Sequence, residues 1–167
     1  KLDVLILQLV FKVGEELSEQ KQYAQAAEAY LKAAREFPGD QRASRAYYNA
    51  GQQWQLAGKL EPAAAAYNEL IARYPGSKEG ALGAWAAAQM FESIVQFGDA
   101  ARYYELYVEQ FPKGEKRSDA LYNAVVLQLS AGRYDQAARS GTRFAQLFPG
   151  HESAEEVLFM VGRAHEA

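Results

Sequence analysis

Residues 41–77 read QRASRAYYNAGQQWQLAGKLEPAAAAYNELIARYPGS, and this stretch decides the fold. Two runs with apolar side chains at helical spacing are separated by Ala57-Gly58-Lys59 and closed by Tyr74-Pro75-Gly76. Pro62 stands where the second run begins, a place with no intrahelical N–H bond to lose. Pro75 cannot continue the run, and it pushes Tyr74 before it out of the α region. The stretch predicts two helices, A then B.

The same stop recurs along the chain. Phe37-Pro38, Tyr74-Pro75, Phe111-Pro112 and Phe148-Pro149 follow one another at a spacing of 37 residues. Sliding the sequence by that period superposes Ala26, Ala63, Ala100 and Ala137, and then Ala27, Ala64, Ala101 and Ala138. Tyr30, Tyr67 and Tyr104 form a third column, with Gly141 as the departure. So many columns at one spacing mark an internal repeat. Alternating β-branched runs are absent from the sequence. The expected fold is all-α, a single α-solenoid of antiparallel helix pairs with about four and a half repeats. These cover approximately residues 4–40, 41–77, 78–114 and 115–151, with a half repeat at 152–167. The A–B turns are expected at Ala57-Gly58-Lys59, Phe97-Gly98-Asp99 and Ala131-Gly132-Arg133. Close approach of the two helices is expected where the helix-B alanines face Gly14, Gly51 or Ala88.

The second unit resembles the tetratricopeptide repeat. Gly51 falls at that family's small helix-A position and Trp54 at its following aromatic, while Ala63, Tyr67 and Pro75 match the small, aromatic and proline positions of helix B. The period is three residues longer than the family's usual 34, and the extra residues lie between the proline and the next helix A, as in Pro75-Gly76-Ser77-Lys78-Glu79-Gly80. That linker, with the aromatic-Pro-Gly stop, is similar to the BamD/CpoB-like repeats of bacterial envelope proteins. The resemblance implies a TPR-like superhelix, a periplasmic or outer-membrane-associated scaffold, and a concave groove lined by helix A.

Composition is that of a globular chain: 49% hydrophobic, 23% charged, with eleven Tyr, eight Phe and two Trp. A net charge of −3 offers no basic surface for nucleic acid or anionic lipid. The absence of cysteine excludes a disulfide framework, a thiolate metal site and a catalytic thiol. Leu2 to Val13 is the most apolar stretch and is too short to insert into a bilayer, which takes roughly 20 residues. The start at Lys1, without an initiator Met or a leader, predicts a piece of a longer protein.

Function therefore rests on surfaces. The helix-A column Phe11, Tyr48, Trp85, Tyr122 and Phe159 is aromatic in every unit. It reads either as a ladder of anchors for a protein or peptide, or as a packing column between neighbouring units. Asn49 and Asn123 share a register, with Gln52 and Gln89 one turn on, and these suit hydrogen bonds to a peptide backbone or plain solvation. The chaperone-tail carboxylate clamp of the family is not matched, since aromatics and Gln stand at its groove sites. Helix 1 is apolar on most sides and the last helix has no helix B, so the ends predict self-association, partner docking or truncation. His151 and His165 are too far apart to share a metal. Neither a phosphate loop nor a nucleophile set is present. The sequence thus predicts a protein-binding scaffold with no catalytic residue, metal or cofactor; the other reading is a structural subunit of a larger envelope machine.

Overall fold

A computed structural model describes residues 2–166, with side chains described from 5 to 164. Leu2 and Val4 of the apolar first helix, and His165, therefore fall outside the described side chains. Among the described residues there are nine α-helices and no strand. They are α1 (Leu2–Glu19), α2 (Tyr23–Glu36), α3 (Ala43–Leu56), α4 (Leu60–Arg73), α5 (Lys78–Ser93), α6 (Phe97–Gln110), α7 (Arg117–Ser130), α8 (Tyr134–Leu147) and α9 (Ala154–Glu166). The odd-numbered helices are helix A and the even-numbered ones helix B, as expected of a helical-repeat solenoid. The chain forms two compact units, Lys1–Gly83 and Ala84–Ala167.

Every helix B stops for the same reason. Phe37, Tyr74, Phe111 and Phe148 leave the α region at φ −125°, −127°, −122° and −132° because a proline follows each. Each still donates its N–H to the carbonyl four residues back, so the last turn is closed before the chain departs. A tight turn follows, in which Asp40, Ser77, Gly114 and His151 donate to the carbonyl of that same aromatic. Helix α5 begins early because Ser77 caps it, its Oγ accepting the Gly80 N–H at 3.0 Å.

The A–B turns are equally regular. Lys21, Gly58, Val95 and Gly132 sit at one register position and all take a positive φ, of 59°, 70°, 62° and 68°. The next residue donates back across the turn: Gln22 to Leu17, Lys59 to Trp54, Gln96 to Phe91 and Arg133 to Gln128. This is the left-handed helix stop that favours glycine. The third turn is thus Ile94-Val95-Gln96, and Gly98, where the sequence placed it, belongs to the first turn of α6.

The cause of close helix approach also differs from the expectation. It is the helix-B tyrosine, rather than the alanine pair, that lies nearest the helix-A glycine. A methyl group on Gly14 would overlap the Tyr30 ring, and one on Gly51 would overlap Tyr67. Tyr67 also lies against Gly83 of α5, so its ring is held between two glycines and is fully buried. Ala26, Ala63, Ala100 and Ala137 are buried beside these tyrosines and line the same seams. The fourth repeat inverts the sizes. Gly141 replaces the tyrosine, and the side chains that fill its space are Val157 and Val161 of α9.

Candidate protein-binding surface

Phe11, Tyr48, Trp85 and Tyr122 of the helix-A column are half buried, and the first three stand on helix-B tyrosines. Phe11 meets Tyr30 edge-on at 5.4 Å, Tyr48 lies 6.2 Å from Tyr67, and Trp85 meets Tyr104 edge-on at 5.1 Å and Tyr107 at 5.8 Å. Each edge-to-face pair adds about 0.5–1.5 kcal/mol beyond the area it buries. Tyr122 faces Gly141's register instead of a tyrosine, and its hydroxyl donates to Glu156 of α9 at 2.9 Å. Phe159, on a helix A without a described helix B, is 69% exposed. Phe11, Tyr48 and Trp85 thus each spend one face on packing and leave part of the ring to solvent, while Phe159 is open.

The polar neighbours divide into two kinds. Asn49 stands by the hydroxyl of Tyr30, and Asn123 by that of Tyr104, each partly offsetting the rise in the phenol's pKa, in the same register of two different repeats. These amides lie where helix A meets the helix B before it. Gln52 and Gln89 are exposed, and Gln52 donates to the Tyr48 hydroxyl at 3.1 Å. Of the four, the glutamines are the exposed groups.

Burial governs the acidity of these phenols. It raises the pKa of Tyr30, with Glu15 adding to the effect, and it raises that of Tyr48. Tyr104 is pushed up to about 12, by burial first and then by the carboxylate of Glu92, which accepts its hydroxyl at 3.2 Å. The column is neutral across physiological pH and presents aromatic faces to any partner.

Cations cover several rings. Lys116 lies 4.5 Å from the centre of Trp85, Arg45 lies 5.6 Å from that of Phe11, and Arg117 lies 5.7 Å from that of Phe148. Lys116, in the linker before α7, thus shades the third aromatic of the helix-A column. On the helix-B side, Arg35 of α2 pairs with Glu69 of α4. Two periods on, Glu109 of α6 pairs with Arg143 of α8 at 3.1 Å, the same contact with its charges exchanged. In the fourth repeat a buried polar cluster joins three helices. Gln128 of α7, at the register of Trp54 and Phe91, donates to Glu105 of α6 at 3.0 Å, and Ser140 of α8 donates to the same oxygen at 2.6 Å.

No group of His, Asp or Glu among the described residues could hold a metal ion, and no described helix is long and apolar enough to cross a membrane. Val95 is the turn residue that residue type alone does not reveal, and the 37-residue register carries its signal by aligning it with Gly58 and Gly132.

Known proteins match at the level of family and fold. A profile of the family described as outer membrane lipoprotein, YfiO, matches residues 81–167, and the tetratricopeptide-repeat profile matches residues 45–77. No curated protein matches at a significant level. Among solved structures, a tetratricopeptide repeat protein from Parabacteroides merdae is similar with a TM-score of 0.61 at 14% identity, over 97% of this chain and 61% of that one. The MamA protein is similar at 0.58 and 16% identity, over 96% of this chain and 81% of that one. YrrB, described as a TPR protein with an unusual peptide-binding site, is similar at 0.51 and 18% identity, over 94% and 75%. At such identities the likeness is one of fold.

Proposed function

The chain belongs to the YfiO family of outer membrane lipoproteins, within the tetratricopeptide-repeat proteins, and from that premise we propose a non-catalytic scaffold of the Gram-negative cell envelope. On this reading the repeats act as one array of four and a half units, in the periplasm or at the outer membrane. A protein or peptide partner is held along the helix-A face by Phe11, Tyr48, Trp85, Tyr122 and Phe159, with Gln52 and Gln89 reaching its backbone. Asn49 and Asn123 set the position of the rings from behind. The observation that carries the reading is the half-buried aromatic column with exposed glutamines beside it. Rigid rings with one free edge are what interfaces use as anchors. Tetratricopeptide-repeat families are scaffolds as a class, and YrrB's described peptide-binding site supports the same kind of partner.

Affinity capture from envelope extract with wild type, Trp85→Ala and Gln89→Ala tests it. The expected result is loss of a specific partner from Gln89→Ala at an unchanged melting midpoint. Asn123→Ala, by contrast, should lower the midpoint by opening a gap beside the Tyr104 hydroxyl, which keeps its bond to Glu92. Retention of every partner by both Trp85→Ala and Gln89→Ala would end the groove reading.

A second reading has its own observation. Leu5 and Leu9 of α1 are each 62% exposed, and Leu158 and Phe159 of α9 are exposed by more than half. Such surface suits a subunit that joins a larger envelope machine through its terminal helices. Sedimentation at rising concentration tests self-association, and a strict monomer would remove that form of it.

A further inference from the structure

In the A–B turn of the third repeat, Val95 takes the left-handed conformation at φ 62°, where Gly58 and Gly132 stand in the second and fourth. A β-branched residue is strained there. Packing returns little at Val95, which is 68% exposed, and Ile94 beside it is also exposed at 39%. Lys21 shows that the position accepts a side chain, but glycine would close the turn at lower energy than the β-branched Val95.

The next turn supplies the neighbouring chemistry. The Arg133 guanidinium reaches across to α6 and lies on Gly98, so close that a methyl group there would overlap it. That places a cation at the N-terminal end of α6, the end of a helix that repels positive charge. Arg133 then lines a hollow of about 540 Å³ together with Tyr134, Asp135, Gln136 and Arg139. Among the described residues, neither Arg133 nor Arg139 has an ion-pair partner. The hollow thus holds two guanidinium groups against the one carboxylate of Asp135, an excess of positive charge on a chain of net charge −3. Arg133 rests on Gly98, three residues from the apolar tip.

We propose that Ile94, Val95, Arg133 and Arg139 form a second docking site, for a segment of a partner protein that carries a carboxylate beside an apolar side chain. The guanidinium forks take the carboxylate and offset the repulsion at α6, while the partner's apolar side chain covers the Ile94–Val95 tip. The site lies about ten residues, or roughly 15 Å, along the helix from Trp85 and is separate from the groove.

Selection of displayed random peptides on the full chain tests the site. Wild type is expected to enrich peptides pairing Asp or Glu with Leu, Ile or Phe. The Arg133→Gln/Arg139→Gln variant should bind them about tenfold more weakly or worse. Val95→Gly should also weaken them while raising the melting midpoint, because the strain is gone. Trp85→Ala should keep them, which separates failure here from failure of the groove reading. The proposal is overturned if no peptide is enriched, if the enriched peptides lack a carboxylate, or if the arginine variant binds them unchanged. A lower midpoint for Val95→Gly, or loss of the peptides with Trp85→Ala alone, also overturns it.

Discussion

Tyr67 and Gly141 hold the same place in the repeat, and the helix pairs around them are packed by opposite means. At Tyr67 one large ring from helix B fills the seam, and Gly51 and Gly83 from the flanking A helices make room for it. At Gly141 the bulk comes from the other side, with Val157 and Val161 of α9 filling the space the missing ring leaves. The column is therefore conserved as a volume rather than as a residue type. Interiors are close-packed, so a seam can be filled from either helix but not from both and not from neither. The same exchange appears in charge: Arg35 with Glu69 in one unit becomes Glu109 with Arg143 in the other.

Tyr67→Ala empties a seam that nothing else fills, and it should cost about 3–5 kcal/mol in denaturant unfolding. A loss under about 1 kcal/mol would mean that the glycine-lined seam collapses freely, and the two regions would then differ less than their packing implies. Gly141→Tyr overfills the opposite kind of seam and should cost about 1–3 kcal/mol. Adding Val157→Ala and Val161→Ala should recover part of that loss by rebuilding the Tyr67 arrangement in the fourth repeat. Additive losses would show that volume is not what the two regions share.

Alkaline unfolding sharpens the comparison, because a tyrosine seam titrates and a glycine–valine seam does not. The pKa of Tyr104 is raised in the folded state to about 12 from an ordinary 10. The stability it contributes is full below pH 10 and is lost as pH rises from 10 to 12, on the order of 1 kcal/mol. Urea midpoints across that range should fall for wild type and fall less for Tyr104→Phe. The smallest effect is expected at the ion pairs. Reversing Glu109 and Arg143 together should change stability by less than about 0.5 kcal/mol, since both side chains are well exposed.

The period was legible because each helix B ends at an aromatic-proline, a local steric event that any reader of the chain can locate. Its four B helices begin and end in one register: Tyr23, Leu60, Phe97 and Tyr134 open them, and Glu36, Arg73, Gln110 and Leu147 close them. The third A–B turn was not legible by its residues. Gly98 drew attention as the nearest glycine, yet the turn needs a positive φ three residues earlier, and Val95 supplies it under strain. The groove residues were legible as columns, but their division was not. Asn49 and Asn123 point back to tyrosine hydroxyls 19 residues earlier in the chain, while Gln52 and Gln89 face solvent, and nothing in residue type separates the two pairs.

By itself the sequence determined the helix pairs, their period and their stops, since propensity, proline sterics and periodicity act over a few residues. The absence of cysteine and of any metal-ligand spacing was equally plain in it. Only the tertiary structure decided which glycine receives which ring, which aromatic edge stays free, and where Arg133 comes to rest. Those outcomes depend on atoms from helices far apart in the chain meeting at contact distance, and local sequence carries no record of that geometry.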